Sequence, residues 1–219
     1  ITRAAAGVEG IRRIRLSSLE PDLLTDGQIE LLAGVPQFCH HFHLSLQRGC
    51  DATLRRMCRP YTAAQYAEVA ETLRRAMPHA GFPPDVIVGF PGETQAEFAE
   101  SLAFVRQMDF LKVHVFPFSA RAGTAAAGFD GQLPISEKAA RAAQLQQAAD
   151  EVRTRWIAKQ QGTTHRVLLE TPLPDGRFTG YTESYIPVAL ASPTAHPGAM
   201  VRGRLAHYDG ERCNAELTI

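Results

Sequence analysis

A chain of 219 residues with 45% hydrophobic and 21% charged residues has the balance of an ordinary globular protein, long enough for one sizeable core and a smaller second unit. Its formal net charge of zero excludes binding of nucleic acid or an anionic membrane by bulk charge alone. No apolar run reaches the roughly 20 residues of a membrane-spanning helix, and no membrane partner is expected.

No signal peptide opens the chain, and no initiator Met is present. The sequence ITRAAAGVEGIRRIRLSS meets a strand at once, so a fragment or a processed chain is expected. In that strand Ile14 and Leu16 point to one side, Arg15 and Ser17 to the other. A capping box, Thr25 with Gln28, then starts a short helix. The next strand places Phe42, Leu44 and Leu46 on one face and His41, His43, Ser45 and Gln47 on the other. Asp51 opens a short helix to Met57. A second box, Thr62 with Gln65, starts a helix whose apolar face is Tyr66, Val69, Leu73 and Met77.

The stretch DVIVGFPGET organises this half of the chain. It predicts a strand over Val86 to Phe90, a tight turn with permissive Gly89 and Gly92 around Pro91, and a helix capped by Thr94 with Glu97. Phe98, Leu102 and Val105 give that helix its apolar face. A further strand follows, in which Val113 and Val115 oppose Lys112, His114, Phe116 and Phe118. The order β-α-β-α-β-α-β predicts a parallel sheet with right-handed crossovers and helices outside. One sheet face carries Arg15, Ser17, His41, His43, Ser45, Gln47, Asp85, Lys112 and His114. A polar inner face of this kind predicts a wet or ligand-filled cavity, with ligands gathered at the strand carboxyl ends.

After a Gly-rich connection, Ser136 starts a long helix to about Gln161 with the apolar stripe Leu145, Ala149, Val152 and Trp156, ended by Gly162. From Thr163 the pattern is of short strands, the last two joined by a hairpin at Asp209-Gly210. A small antiparallel barrel-like domain is expected there. It carries five Arg and no Lys against six acidic residues, so it is not visibly basic. The four cysteines, Cys39, Cys50, Cys58 and Cys213, lie at no metal-ligand or redox spacing, and a reducing, cytoplasmic setting is expected. Of His40, His41 and His43 only His41 and His43 share a face, and a hydrogen-bonded lining is the better reading than a metal site.

Taken together, RIRLSSLEP, HLSLQ followed by MCRPYT, DVIVGFPGET and HVFPFSARAGTAAA resemble, in order, the strand signatures of the radical S-adenosylmethionine methylthiotransferases. The terminal FTGYTESYIPV run resembles their TRAM domain. The pairing of RLSSLEP with GYTESYIPV is most similar to the branch that modifies threonylcarbamoyladenosine beside the tRNA anticodon. The resemblance implies an α/β fold: residues 1–135 as the distal part of a partial (β/α) barrel, 136–162 as a connecting helix, and 163–219 as the TRAM-like β domain.

It also implies S-adenosylmethionine as cofactor, cleaved at a [4Fe–4S] cluster on a CxxxCxxC motif to a 5′-deoxyadenosyl radical. This chain has no such motif. The resemblance therefore makes it the carboxyl-terminal half of an enzyme whose amino-terminal half holds the cluster, and the chain alone is expected to be inactive. A tRNA anticodon region and an electron donor are the implied partners. Ser45 and Gln47, with Ser17 and Ser18, are the implied contacts to ribose or methionyl groups. Arg59 is placed to pair with a carboxylate. Val88, Gly89 and Phe90 would line an adenine site closed by Phe116, Phe118 and Ser119. Arg177, Tyr181, Tyr185, Arg202 and Arg204 are the candidate RNA contacts.

The family has a QSGS-like run where this chain has Gln47-Arg48-Gly49-Cys50, a departure that puts the local contact in question. Alternatives are a methylthiotransferase acting on a ribosomal protein, a non-catalytic RNA-binding module, and an unrelated barrel enzyme using Lys112, His114 and His43.

Overall fold

Alternation in the first half of the sequence resolves into four strands and the helices between them. The computed structural model describes residues 1–192 and 196–218. In order come α1 (Thr2–Ala6), β1 (Ile14–Leu19), α2 (Asp26–Ala33), β2 (Phe38–Leu44), α3 (Asp51–Arg56), α4 (Ala63–Ala76), β3 (Asp85–Val88), α5 (Gln95–Gln107) and β4 (His114–Pro117). The chain therefore does not enter a strand at once. Arg3 and Ala4 to Ala6 are good helix formers, and the Gln37 side chain donates to the Ala6 carbonyl at 3.1 Å. That contact secures a helix too short to stand alone.

β1 pairs parallel with β2, and β3 parallel with β4. The two pairs join just beyond β2, where Gln47 bridges to Val86. Gln47 N donates to the Asp85 carbonyl at 2.9 Å, and Ile87 N to the Gln47 carbonyl at 3.0 Å. Four strands thus lie side by side in chain order, as crossover connections require. Strand β3 stops at Val88, short of Phe90, because Gly89 turns the chain at φ 71°.

All three expected capping boxes form, at Thr25, Thr62 and Thr94. The helices they start bury Tyr66, Leu73, Phe98 and Val105 against Phe42, Leu44, Val86 and Val88. Each such side chain contributes on the order of 1.5–3 kcal/mol by leaving water.

The long helix α6 (Ile135–Ala158) begins one residue before Ser136 and ends before the expected Gln161. Gly162 is held in a following turn, donating to the Leu205 carbonyl at 2.7 Å. Beyond it β5 (Thr164–Pro172), β6 (Phe178–Thr182), β7 (Pro187–Leu190), β8 (Met200–Tyr208) and β9 (Cys213–Leu217) close into a barrel in the order β5-β6-β7-β9-β8. The hairpin at Asp209-Gly210 joins β8 to β9 as its dipeptide predicts, while Ile219 lies outside the described residues. The barrel is not purely antiparallel, since β7 and β9 run parallel. The run RFTGYTESYIPVAL is two strands, because Tyr185 takes φ 69° and reverses the chain between them.

Leu145, Ala149 and Val152 of α6 lie in the core of the sheet, and Trp156 and Ile157 lie in the core of the barrel. Arginines at the start of β1, one just before it and one within it, fasten the two units further. Arg13 donates to the Tyr181 and Arg166 carbonyls at 3.1 and 2.7 Å, and Arg15 to the Glu183 carbonyl at 2.8 Å.

Candidate functional site

The GFPGET turn sits at the carboxyl end of β3, held from below by a carboxylate. Glu93 accepts from the backbone of Gly89 at 2.9 Å and of Phe90 at 3.3 Å. The same carboxylate pairs with Arg48 at 2.8 Å and with Arg141 of α6. Arg48 and Glu93 are wholly shielded from solvent. Arg48 also donates to the Ile87 carbonyl at 2.7 Å. Burial pushes its guanidinium below the usual range, opposed chiefly by Glu93. The residue that departs from the family's small polar run therefore points away from the ligand side and into the base of the turn.

In front of the turn, Gln47, Arg59, Phe90 and Phe118 line one cavity of about 240 Å³ with Arg56, Cys58 and Phe129. Phe90 packs against Phe118 and Phe129 at ring separations of 5.2 and 6.2 Å. Arg59 pairs with Glu20 at 3.0 Å. Arg56 pairs with Glu97 at 2.6 Å and draws that carboxyl down to about 2. The remaining expected residues take other positions. Val88 is fully buried in the core, and Ser45 is buried with its carbonyl accepting from Tyr61 Oη at 2.7 Å. Gly89 is approached closely by the Lys138 side chain, into whose stem a Cβ would project at 2.5 Å. Phe116 is half exposed, and Ser18 and Ser119 are exposed.

A second and larger space, about 900 Å³, opens between the polar face of the sheet and the barrel. From the sheet come Arg15, Ser17, His41, His43, Lys112 and His114; from the barrel, Thr179, Tyr181 and Tyr185; from α6, Arg153. The expected cavity on the polar face is therefore present, and its opposite wall is the chain's own closed barrel. His43 Nε2 lies 3.1 Å from Asp85 Oδ1. Burial, reinforced by Arg15 and His43, pulls the His41 imidazole down to about 4. Burial and the neighbouring Lys112 also lower His114. Both shifts favour the neutral imidazole, at His41 and at His114.

The candidate RNA contacts divide between places. Tyr181 and Tyr185 face this cleft. Arg202 borders a separate groove of about 380 Å³ with Arg12 and Arg166. Arg177 pairs with Asp175 at 2.8 Å and donates to Asn214 Oδ1 at 2.6 Å. Arg204 donates to the Gly162 carbonyl at 3.2 Å. Sequence reasoning missed Arg56, Arg141, Arg153 and Phe129. Arg56, Arg141 and Phe129 meet Glu97, Glu93 and Phe90, remote in the chain, and only the acidic residue within GFPGET hinted that a cation must meet it.

An iron–sulfur cluster does not fit this chain. Cys39, Cys50 and Cys213 are buried apart from the exposed Cys58, and among the described residues no cluster of three or more His, Cys, Asp or Glu could hold a metal ion. An adenosyl group fits in part: the aromatic pair Phe90 and Phe118 and the polar ends of Gln47 and Arg59 converge on one space of suitable chemistry. No helix is long and apolar enough to cross a membrane.

A sequence profile of the radical SAM superfamily matches residues 1–105. The threonylcarbamoyladenosine tRNA methylthiotransferase of Bacillus subtilis is 33% identical over 202 residues, 90% of this chain and 45% of the relative. Its counterpart from Thermotoga maritima is 37% identical over 179 residues, 82% of this chain and 41% of the relative. A tRNA-2-methylthio-N(6)-dimethylallyladenosine synthase of Frankia alni is 41% identical over 174 residues, 80% of this chain and 35% of the relative. The chain spans less than half the length of each. Among solved structures, coproporphyrinogen III oxidase from Escherichia coli, described as a radical SAM enzyme, superposes with a TM-score of 0.51 at 15% identity. It covers 78% of this chain and 46% of that one, a likeness of fold alone.

Proposed function

The chain belongs to the radical SAM superfamily, and from that premise we propose that it is the carboxyl-terminal half of a tRNA methylthiotransferase. The observation that carries this reading is the match of a tRNA methylthiotransferase across 90% of the chain, sheet and barrel together. In this reading S-adenosylmethionine occupies the space before the GFPGET turn. Phe90 and Phe118 would flank its adenine, Gln47 would bond its polar groups, and Arg59 would exchange Glu20 for the cofactor's carboxylate, a pairing that favours Arg. Ser17, Ser18, Ser45, Val88, Gly89, Phe116 and Ser119 would support that site rather than all touch the cofactor. The cofactor supplies radical chemistry when it meets a reduced [4Fe–4S] cluster, whose ligands would come from outside these 219 residues. The isolated chain should accordingly be inactive, and the complete protein should need an electron donor.

The substrate proposed is threonylcarbamoyladenosine beside the tRNA anticodon, bound with help from Arg177, Tyr181, Tyr185, Arg202 and Arg204. Support comes from RLSSLEP with GYTESYIPV and from the broad match to the threonylcarbamoyladenosine relatives. A second reading, dimethylallyladenosine, is favoured by the higher identity of the Frankia alni relative. Mass spectrometry of tRNA nucleosides from cells lacking the gene separates them. Loss of the methylthio group from threonylcarbamoyladenosine supports the first reading; loss from dimethylallyladenosine supports the second. Intact tRNA nucleosides with a ribosomal protein lacking its methylthio group overturn both.

A further inference from the structure

Resting on the cofactor reading above, we infer that Lys138 and Arg141, on the first two turns of α6, are positioning residues for the adenosyl group. Neither lines the cavity before the GFPGET turn. From behind, they hold the two walls that do, and so set the aromatic slot between Phe90 and Phe118.

That slot needs an outside reference. Phe90 and Phe118 both lie past the ends of their strands, β3 stopping at Val88 and β4 at Pro117. One bond joins the walls there, from Phe118 N to the Val88 carbonyl at 2.8 Å. Lys138 supplies a second link. Its Nζ donates to the Phe118 carbonyl at 3.1 Å and lies 5.4 Å from the centre of the ring. Its stem packs on Gly89 of the opposite wall, so closely that a Cβ there would meet the Lys138 Cγ at 2.5 Å. One side chain therefore touches both walls.

Arg141 reaches the Phe90 wall through Glu93, whose two carboxylate oxygens divide the work. One accepts from Gly89 N and Phe90 N at 2.9 and 3.3 Å and faces Arg48. The other faces Arg141 at 2.5 Å. Arg141 also donates to the Glu93 carbonyl at 3.1 Å, and Glu137 pairs with it from one turn earlier. The backbone on which Phe90 stands is thus tied to α6 by charge-assisted bonds, which are the stronger kind.

Seating of the helix does not call for these cations. Leu145, Ala149 and Val152 bury it on the sheet, and Trp156 and Ile157 bury its far end in the barrel. Lys138 and Arg141 share a face with Leu145, at spacings of three and four, but stand ahead of that apolar stripe. A helix held in two cores, with about 27 Å between Lys138 and Trp156, gives the two loops a fixed frame.

The test is equilibrium dialysis of the complete, cluster-loaded protein with S-adenosylmethionine and with 5′-methylthioadenosine, which keeps the adenosyl group and lacks the amino acid. Lys138→Met keeps the stem and loses the bond to Phe118; it should weaken both ligands about tenfold, and Lys138→Arg should recover them. Arg141→Met should weaken both by a similar factor and speed amide hydrogen exchange at Gly89 and Phe90. Leu32→Ala, in α2 and away from the slot, should lower the urea midpoint and leave both affinities as in wild type. Wild-type affinity in the Lys138→Met and Arg141→Met variants overturns the inference. So does a loss confined to S-adenosylmethionine, which would put the effect at the methionyl end, or an equal loss in Leu32→Ala, which would make it one of stability. Failure of the wild-type protein to bind either ligand overturns the cofactor reading itself, and the inference with it.

Discussion

Arginines do opposite work in two places of this molecule. Beneath the GFPGET turn, Arg48 and Arg141 close on Glu93 with no solvent between them, and each guanidinium also reaches a backbone carbonyl. In the cleft, Arg153 and Lys112 stand in an open volume without such partners among the described residues. Chemistry alone does not separate the two groups; burial and the ion pair with Glu93 do. A dry, ion-paired cation fixes backbone. One that is half wet and unpaired is available to a ligand.

That comparison breaks first at Glu93. Glu93→Gln leaves two buried guanidinium groups facing a neutral amide and should cost about 3–5 kcal/mol, read as a shift of the urea midpoint. An unchanged midpoint would remove the distinction. Next comes acid, which acts on the seam between the two units. Burial holds His165 at about 4 against 6.5 when unfolded, with His79 and His40 adding to the effect. The unfolded chain therefore binds the proton more readily. This contribution is complete above about pH 6.5 and is lost as the pH falls toward 4, up to about 3 kcal/mol. Urea titrations across that window should show the decline, and His165→Gln should make it shallower, with His41 carrying a further part.

A smaller effect is expected at the start of α5, where Thr94→Ala removes a cap worth about 1 kcal/mol, visible as a lowered thermal midpoint. The smallest sharpens the contrast from the other side. Lys112→Ala and Arg153→Ala should each change stability by no more than about 0.5 kcal/mol, measured by the same urea titration. A larger loss would mean that the cleft cations serve the fold.

The sheet was legible where its signals are local. Capping boxes join residues three apart, and the faces of β2 follow from alternation, so Thr25, Thr62, Thr94, Phe42 and Leu44 could be assigned from their neighbours. Gln47, Arg59, Phe90 and Phe118 were legible as candidates through resemblance, and the structure gathers them in one cavity. Arg48 was not legible. An arginine beside a glycine reads as loop surface, and its partner Glu93 becomes adjacent only when β2 and β3 align. The inward placement of Tyr181 and Tyr185 was hidden for the same reason, since it depends on how the barrel docks against Arg13 and Arg15. The parallel pairing of β7 with β9 is likewise a property of barrel closure, with no trace in either strand.

Helix α6, with its stripe divided between two cores, also bears on how the chain is made. During synthesis its early turns can settle on the sheet as soon as they emerge, because Leu145, Ala149 and Val152 meet surfaces already built. Trp156 and Ile157 then wait, uncovered, until β8 brings Leu205 to them and pairs with β5. For that interval the nascent chain carries an apolar helix end, a natural place for a chaperone to hold. A ribosome stalled before β8 would leave that end bare.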